Sequence, residues 1–501
     1  MYRAAPPRGG RPPLLPRPVS DRFPRVTDRA LRLAPLVLLA VGCRVAPTRV
    51  AAEPAARSAA GLQRAKSLVT FDSAWAVIHR THWDTSFNGV DWRALGDSLR
   101  PRAAAAPTRE ALRAVLQELV TSLGQSHFAI LPGDADPSAA ADDVESDDSG
   151  TVGVETRWID GGHVVVRVMA GTPAERAGVR PGDRILAIDG KPVDGPRRPQ
   201  TPTDADARRD ALTAWRLLAP RLQGPVGQSA QLTLDDPTGA RREVHVERSA
   251  PRGVPTRFGQ LPTQHVALDW ERRVVDGKQV GIIRFNVWMP VIARAFDLAI
   301  DSLRSADAIV LDLRGNMGGV AGMSMGFAGH LIDSAVPVGV MTTRGHTMRF
   351  TINPRRVSTA AERVTPFAGP VGVVVDALSA STTEIFVGGL QDLGRARVFG
   401  TQTAGQALPA VASRLPSGDV LYHAIADFRA PSGRALEGAG VTPDERIEPT
   451  RSALASGADP ALDRALDWAA STARRAAITH DGARATTAPV MPRPNRDLPP
   501  L

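Results

Sequence analysis

The chain has 501 residues, 43% of them hydrophobic and 23% charged, with a formal net charge of +9 at pH 7. That is the make-up of a globular protein with room for two to four domains, at roughly 100–200 residues each. Residues 1–60 hold eleven arginines against Asp21, Asp28 and Glu53, which accounts for eight of the nine net charges. The remainder carries no basic stripe to track phosphates, so nucleic acid is excluded as a partner.

The N-terminal arginines precede the apolar run "LAPLVLLAVGC". Its ~11 apolar residues suit an export signal over 1–43 better than a ~20-residue membrane span. Cys43 is the single cysteine, so no intramolecular disulfide can form. It follows Ala40-Val41-Gly42, which resembles a bacterial lipobox with Ala in place of the usual Leu. The resemblance implies a lipid anchor at Cys43 and a periplasmic or membrane-anchored lipoprotein; a plain secretory signal is the competing reading. Either way the chain is expected to be exported from a bacterial cytoplasm.

Residues 44–61 are rich in Ala, Pro and Arg and read as a linker. An N-terminal helical region is expected over 62–132. "FDSAWAVIHRTHWD" and "TREALRAVLQELVTSLG" place apolar residues at helical spacing, with Thr108 as a cap and "FNGVDW" as a turn between them. The acidic, small-residue stretch 133–149 reads as a flexible linker.

Residues 150–250 read as a β-rich module with a short helix near Ala174–Ala177. "AGTPAERAGVRPGDRILAIDG" resembles a PDZ domain of the circularly permuted bacterial kind. The resemblance implies that Gly153 and Val154, in "TVGV", bind substrate by offering backbone N–H groups to a peptide's terminal carboxylate. The rival reading is a plain strand edge in a rigid spacer.

From 262 to 448 strands and helices alternate: "QVGIIRFNVW", a helix across 292–304, "AIVLDLRGN", a helix near 320–332, and "VGVVVDALSASTTEIFVGGLQDLG". This predicts an α/β core with strand–helix crossovers. A C-terminal helix over 449–472 and a polar, Pro-rich, disordered tail over 473–501 complete the chain.

The chemistry gathers around Ser381, which stands at a strand–turn–helix junction with Glu384 three residues on. That is the form of a helix capping box, and equally of a nucleophile at a helix N-terminus. "VLDLRGNMGG" supplies Gly318 and Gly319, where backbone N–H groups can approach a carbonyl oxygen. Together "VLDLRGNMGG", "ALSASTTEIFVGGLQDLGRARVFGTQTAGQ" and "GRALEGAGVTPD" resemble the carboxyl-terminal processing peptidases and the tricorn protease core. With "LGQSHF" and the PDZ-like module, the match covers about 65–448.

The resemblance implies a crotonase-like (ClpP/crotonase) α/β catalytic core and a serine peptidase with Ser381 as nucleophile. One branch of the family takes its base from a lysine at the position of Gln406. The only lysines are Lys66, Lys191 and Lys278, and arginine does not deprotonate, so a serine–lysine dyad is excluded. The tricorn-like branch takes a histidine preceded by serine, which "GQSHF" supplies as Ser126-His127, together with the glutamate that "EGAGVTPD" supplies as Glu437. This implies His127 as general base, Ser126 and Glu437 as a polar relay, and the N–H groups of Thr382 and of Gly318 or Gly319 as oxyanion donors. Read singly, His127 could cap a helix end and Glu437 could be a solvated turn carboxylate.

The expected partners are peptide or protein substrates and a second copy of the chain. No metal or cofactor is implied. The ten histidines are scattered, with no HExxH and no paired cysteines, and His79 and His82 read as surface or packing residues. Two other readings fit the same fold: a catalytically inactive ligand- or peptide-binding protein, and an enzyme of acyl thioesters.

Overall fold

The computed structural model describes residues 53–133, 149–196, 203–259, 261 and 263–485. The chain divides into two units, Met1–Ala56 and Arg57–Leu501. Of the first, only the opening of a helix is described, and everything below apart from that opening belongs to the second. The expected export signal with Cys43, the body of the acidic linker (134–148) and the tail beyond 485 lie outside the described residues.

Two expected boundaries move. The first helix spans Glu53–Thr81 and so begins inside the stretch read as a linker. Its Pro54 sits in the first turn, where the missing N–H would have had no helical partner. At the other end, helices Arg451–Ala455 and Pro460–Ala485 replace one helix over 449–472, and the second continues through part of the expected tail. Ser456 and Gly457 (φ 82) break the run. Beyond 472, "ARRAAITHDGARA" is mostly strong helix formers, with no proline before Pro489.

The N-terminal helices are amphipathic in the expected way. In Arg109–Thr121, Thr108 accepts the Ala111 N–H at 3.2 Å, and Leu112, Val115, Leu116, Leu119 and Val120 are buried. An unforeseen helix, Trp92–Ala105, is capped by Asp91. His79 and His82 lie in an aromatic stack with Trp75, Trp83, Phe87 and Phe128. Within that stack His82 is buried and His79 is exposed.

The core holds a six-stranded sheet in the order Leu268–Val275, Lys278–Phe285, Ala308–Asp312, Val371–Val375, Arg397–Gly400, Glu445–Arg446. The first pair is antiparallel and the rest are parallel. Strands Ala308–Asp312 and Val371–Val375 are buried at every position, which explains their unbroken apolar runs. Helices Ala293–Leu303, Met323–Ala328 and Thr382–Asp392 supply buried residues to one core cluster, and Pro460–Ala485 packs in another with Val280, Val310, Val374 and Phe399. The loops after Asp312 and Val375 leave the carboxyl ends of neighbouring parallel strands, where open α/β sheets place their sites.

A second sheet runs Val154–Ile159, Gly162–Val168, Arg184–Ile188, Ser229–Asp235, Arg241–Glu247. A helix over Asp204–Leu222, not foreseen in the sequence, lies against Val154–Ile159. Arg157 Nε bonds Asp376 Oδ2 at 2.5 Å and Glu155 takes Arg284 Nη2 at 2.6 Å, so this sheet's edge strand meets the core through partly buried charges. Leu212 and Trp215 of the helix pack with Met317, Leu378, Ala380 and Ala404.

Candidate active site

Three segments frame the site at Ser381, and Glu437 reaches in from a fourth. The first is its own turn. Strand Val371–Val375 ends, Asp376 accepts the N–H groups of Gly315 and Leu378, and helix Thr382–Asp392 begins one residue after Ser381. Ser381 sits at φ 57, ψ −119, a region L-residues seldom adopt. Such backbones cost about 1–3 kcal/mol and persist only where the surroundings enforce them. Here the Ser381 N–H is held by the Gln406 carbonyl at 2.8 Å and by Glu384 Oε2 at 3.1 Å. Glu384 therefore makes the reciprocal half of the capping box, while the Ser381 hydroxyl lies against a histidine.

That histidine is His127, whose Nε2 is 3.2 Å from Ser381 Oγ. Its Nδ1 lies 2.7 Å from Ser126 Oγ, and Ser126 Oγ donates to Glu437 Oε2 at 2.8 Å. Glu437 also accepts the N–H groups of Ser126 (2.9 Å) and Ala407 (3.0 Å). The donors fall in one direction: Ser381 O–H to Nε2, Nδ1–H to Ser126 Oγ, and Ser126 O–H to Glu437. His127 is itself at φ 61, and the strand after it, Ala129–Leu131, pairs with Val420–Ala424 in the register Ala129↔Tyr422. That pairing ties the N-terminal region to the core. Burial pushes the His127 imidazole down to about 4, and burial raises the Glu437 carboxyl.

The third segment is "DLRGNMGG". Gly318 (φ 98) lies so close to the nucleophile turn that a Cβ there would stand 2.6 Å from Ser381 Cβ and 3.0 Å from the Thr382 nitrogen. Its N–H, named in the sequence as one of two alternative oxyanion donors, is taken by Asn316 Oδ1 at 3.0 Å. Of the two alternatives, the Gly318 donor is therefore engaged inside the loop. The Thr382 and Gly319 N–H groups donate to no other group among the described residues. A Cβ on Gly319 (φ 139) would meet the Trp288 carbonyl at 2.2 Å, so that position is confined to glycine.

Sequence reasoning passed over two supports. Asn316 bridges the loop by donating to the Phe285 carbonyl at 3.0 Å and accepting from Thr383 Oγ1 and Gly318 N–H. Glu384, read only as a cap, is fully buried and accepts from Thr403 Oγ1, Gly405 N–H (2.7 Å), Gln406 N–H (2.8 Å) and Ser381 N–H. Burial raises its carboxyl to about 7. The signals were present as the Asn of "RGNMGG" and the Glu of "STTE". Gly153 (φ 90) stands away from Ser381, at the entrance to strand Val154–Ile159, and a Cβ on it would meet Thr172 at 2.4 Å. Among the described residues no cluster of His, Cys, Asp and Glu could hold a metal.

Residues 279–447 match peptidase family S41, residues 164–207 match a PDZ domain, and residues 63–121 match the tricorn protease C1 domain. Carboxyl-terminal-processing peptidase 2, chloroplastic, of Arabidopsis thaliana is 28% identical over 393 residues, which span 75% of this chain and 68% of that protein. The carboxyl-terminal-processing protease of a Picosynechococcus species is 26% identical over 383 residues, spanning 75% of this chain and 81% of that one. The solved photosystem II D1 C-terminal processing protease superposes with a TM-score of 0.52 at 22% identity, over 79% of this chain and 99% of that one. Mature CPAF, solved in complex with lactacystin, gives 0.53 at 16% identity, over 83% and 100%. The two structures share the fold, and the sequence matches carry the resemblance: the core over residues 279–447 matches peptidase family S41, and the chain is a serine-type peptidase.

Proposed function

We propose that the chain hydrolyses peptide bonds through an acyl-enzyme on Ser381, with His127 as general base. The observation that carries this reading is the unbroken run Glu437–Ser126–His127–Ser381, with contacts of 2.8, 2.7 and 3.2 Å. Ser381 Oγ attacks the scissile carbonyl while its proton passes to His127 Nε2. Nδ1–H stays on Ser126 Oγ, which Glu437 orients, so the imidazolium is stabilised without a direct carboxylate partner. The N–H groups of Thr382, at the start of a helix, and of Gly319 receive the developing oxyanion. As the C–N bond breaks, His127 returns the proton to the leaving amine. Water, deprotonated by the same nitrogen, then releases the acid and restores Ser381.

The core is proposed to be crotonase-like, and the similarity to carboxyl-terminal processing proteases points to substrates cut near their C-termini. Gly153 and Val154 would hold a substrate carboxylate at the edge strand of the PDZ module. The leader sequence supports export to the periplasm with a lipid on Cys43, and self-association into a homo-oligomer completes the proposal. Cleavage of an unstructured peptide by the parent, Ser381→Ala and His127→Ala proteins tests the central reading. Activity in the parent alone supports it; parent-like turnover by either variant refutes it.

A further inference from the structure

Strand Val420–Ala424 places Leu421 and His423 in the protein interior and leaves Tyr422 half-buried on the opposite side. Tyr422 stands directly across from Ala129 on one neighbouring strand and from Ala412 on the other. His127 lies two residues before Ala129, outside the strand and at φ 61, and the turn it makes brings its ring to Tyr422. Both direct neighbours are alanines, which leave the ring room to lean. It leans on the base. The ring centroids of Tyr422 and His127 are 5.7 Å apart with an interplanar angle of 41°, within the range of a favourable aromatic pair.

The two edges of His127 are committed, Nδ1 to Ser126 and Nε2 to Ser381. Beyond these two bonds, the ring has the tilted approach of Tyr422 to hold it. From this we infer that Tyr422 is a positioning residue for the proposed general base: its ring shields one face of His127 from water and fixes the imidazole plane on the Ser126–Ser381 line. The contact requires the ring and not the hydroxyl, since the Tyr422 hydroxyl makes no hydrogen bond among the described residues.

The inference rests on His127 being the base and adds a cause for its chemistry. Burial lowers the His127 titration, and the tyrosine ring is part of what buries it. The ionisable groups around the imidazole are Glu437 through Ser126, Tyr422 itself, and Glu384 behind the Ser381 turn. Asp427 acts on Glu437 from strand Asp427–Arg429, and Arg208 Nη2 bonds the neighbouring Gly438 carbonyl at 2.7 Å. Of these, changing Tyr422 removes only its own phenol.

The test is the pH dependence of the rate at which a fluorophosphonate modifies the full-length protein, compared among the parent and Tyr422→Phe, Tyr422→Leu, Tyr422→Val and His127→Ala. Tyr422→Phe should reproduce the parent profile. Tyr422→Leu and Tyr422→Val should react several-fold more slowly, with the midpoint moved up by a unit or more toward the ordinary histidine value near 6.5. Two aliphatic replacements, one of them β-branched and suited to a strand, guard against loss of one variant to misfolding. An unchanged midpoint in folded Leu or Val protein overturns the role of Tyr422. A His127→Ala protein that reacts at the parent rate overturns instead the assignment of the base, so the two failures are separable.

Discussion

His127 Nε2 stands 3.2 Å from Ser381 Oγ across 254 positions of sequence. The separation is bridged by strand pairing, not by side-chain chemistry alone. Ala129–Leu131 adds to Val420–Ala424, and Arg113 on the helix before it bonds buried Asp419 at 2.8 Å. The base is thereby fixed to the core that carries the nucleophile.

Glu437 reaches the base only through the Ser126 hydroxyl, so the relay can be cut at that hydroxyl alone. Ser126→Ala should lower kcat by roughly tenfold to a thousandfold while the thermal midpoint changes little, because relay members act as a unit. Restoring the hydroxyl with Ser126→Thr should recover part of the loss. Steady-state kinetics with one peptide substrate decides this; equal kcat in Ser126→Ala and the parent excludes the relay.

The acid limb of kcat/KM should lie well below 6.5. Burial lowers His127 to about 4, so the neutral imidazole persists as pH falls through 6.5 and protonates only near 4. The linkage to stability has the same sign. The unfolded chain takes up this proton first, so stability from His127 is complete above about 6.5 and is lost as pH falls toward 4. A pH–rate profile of the free enzyme measures the limb. A midpoint near 7 would assign control to Glu384, whose carboxyl burial raises to about 7.

Glu384→Gln should be damaging despite its matched shape. Four donors converge on the two carboxylate oxygens. An amide offers one acceptor oxygen and turns an N–H₂ group toward the other donors. Each buried donor left unpaired costs roughly 1–3 kcal/mol, and one of them is the Ser381 N–H. Calorimetry should show a lowered midpoint, and kcat should fall with it. A variant as stable and active as the parent would mean that the carboxylate does not hold this turn.

Peptides with a free C-terminal carboxylate and apolar last residues should bind full-length Ser381→Ala protein more tightly than their C-terminal amides. Val154–Ile159 is the edge strand of its sheet, entered through Gly153 at φ 90, and charge-assisted hydrogen bonds are roughly twice as strong as neutral ones. Matched titrations measure the difference, and equal affinities would leave the module a spacer.

The sequence carried the site better than it carried the joints of the fold. Ser381, Ser126, His127 and Glu437 come together because each lies in a short motif whose residue types are set by chemistry. The helix Asp204–Leu222 was missed because its hydrophobic face is divided between two partners. Leu218 packs with its own sheet and Leu212 with Leu378 of the core, so no single apolar stripe marks it. Strands Ala410–Arg414 and Val420–Ala424 were missed for a similar reason. They pair with each other as a hairpin, but the sheet is completed only where Val420–Ala424 pairs with Ala129–Leu131, a long-range match invisible to local periodicity. Choosing between Gly318 and Gly319 needed the Asn316 side chain, whose reach depends on loop geometry and not on spacing.

The most direct measurement is peptide mapping after fluorophosphonate treatment of the parent, Ser381→Ala and His127→Ala proteins. A single adduct on Ser381 in the parent, absent from Ser381→Ala and greatly slowed in His127→Ala, is the result expected of a nucleophile activated by that histidine. An adduct on another serine, or parent-rate labelling of Ser381 without His127, would contradict it.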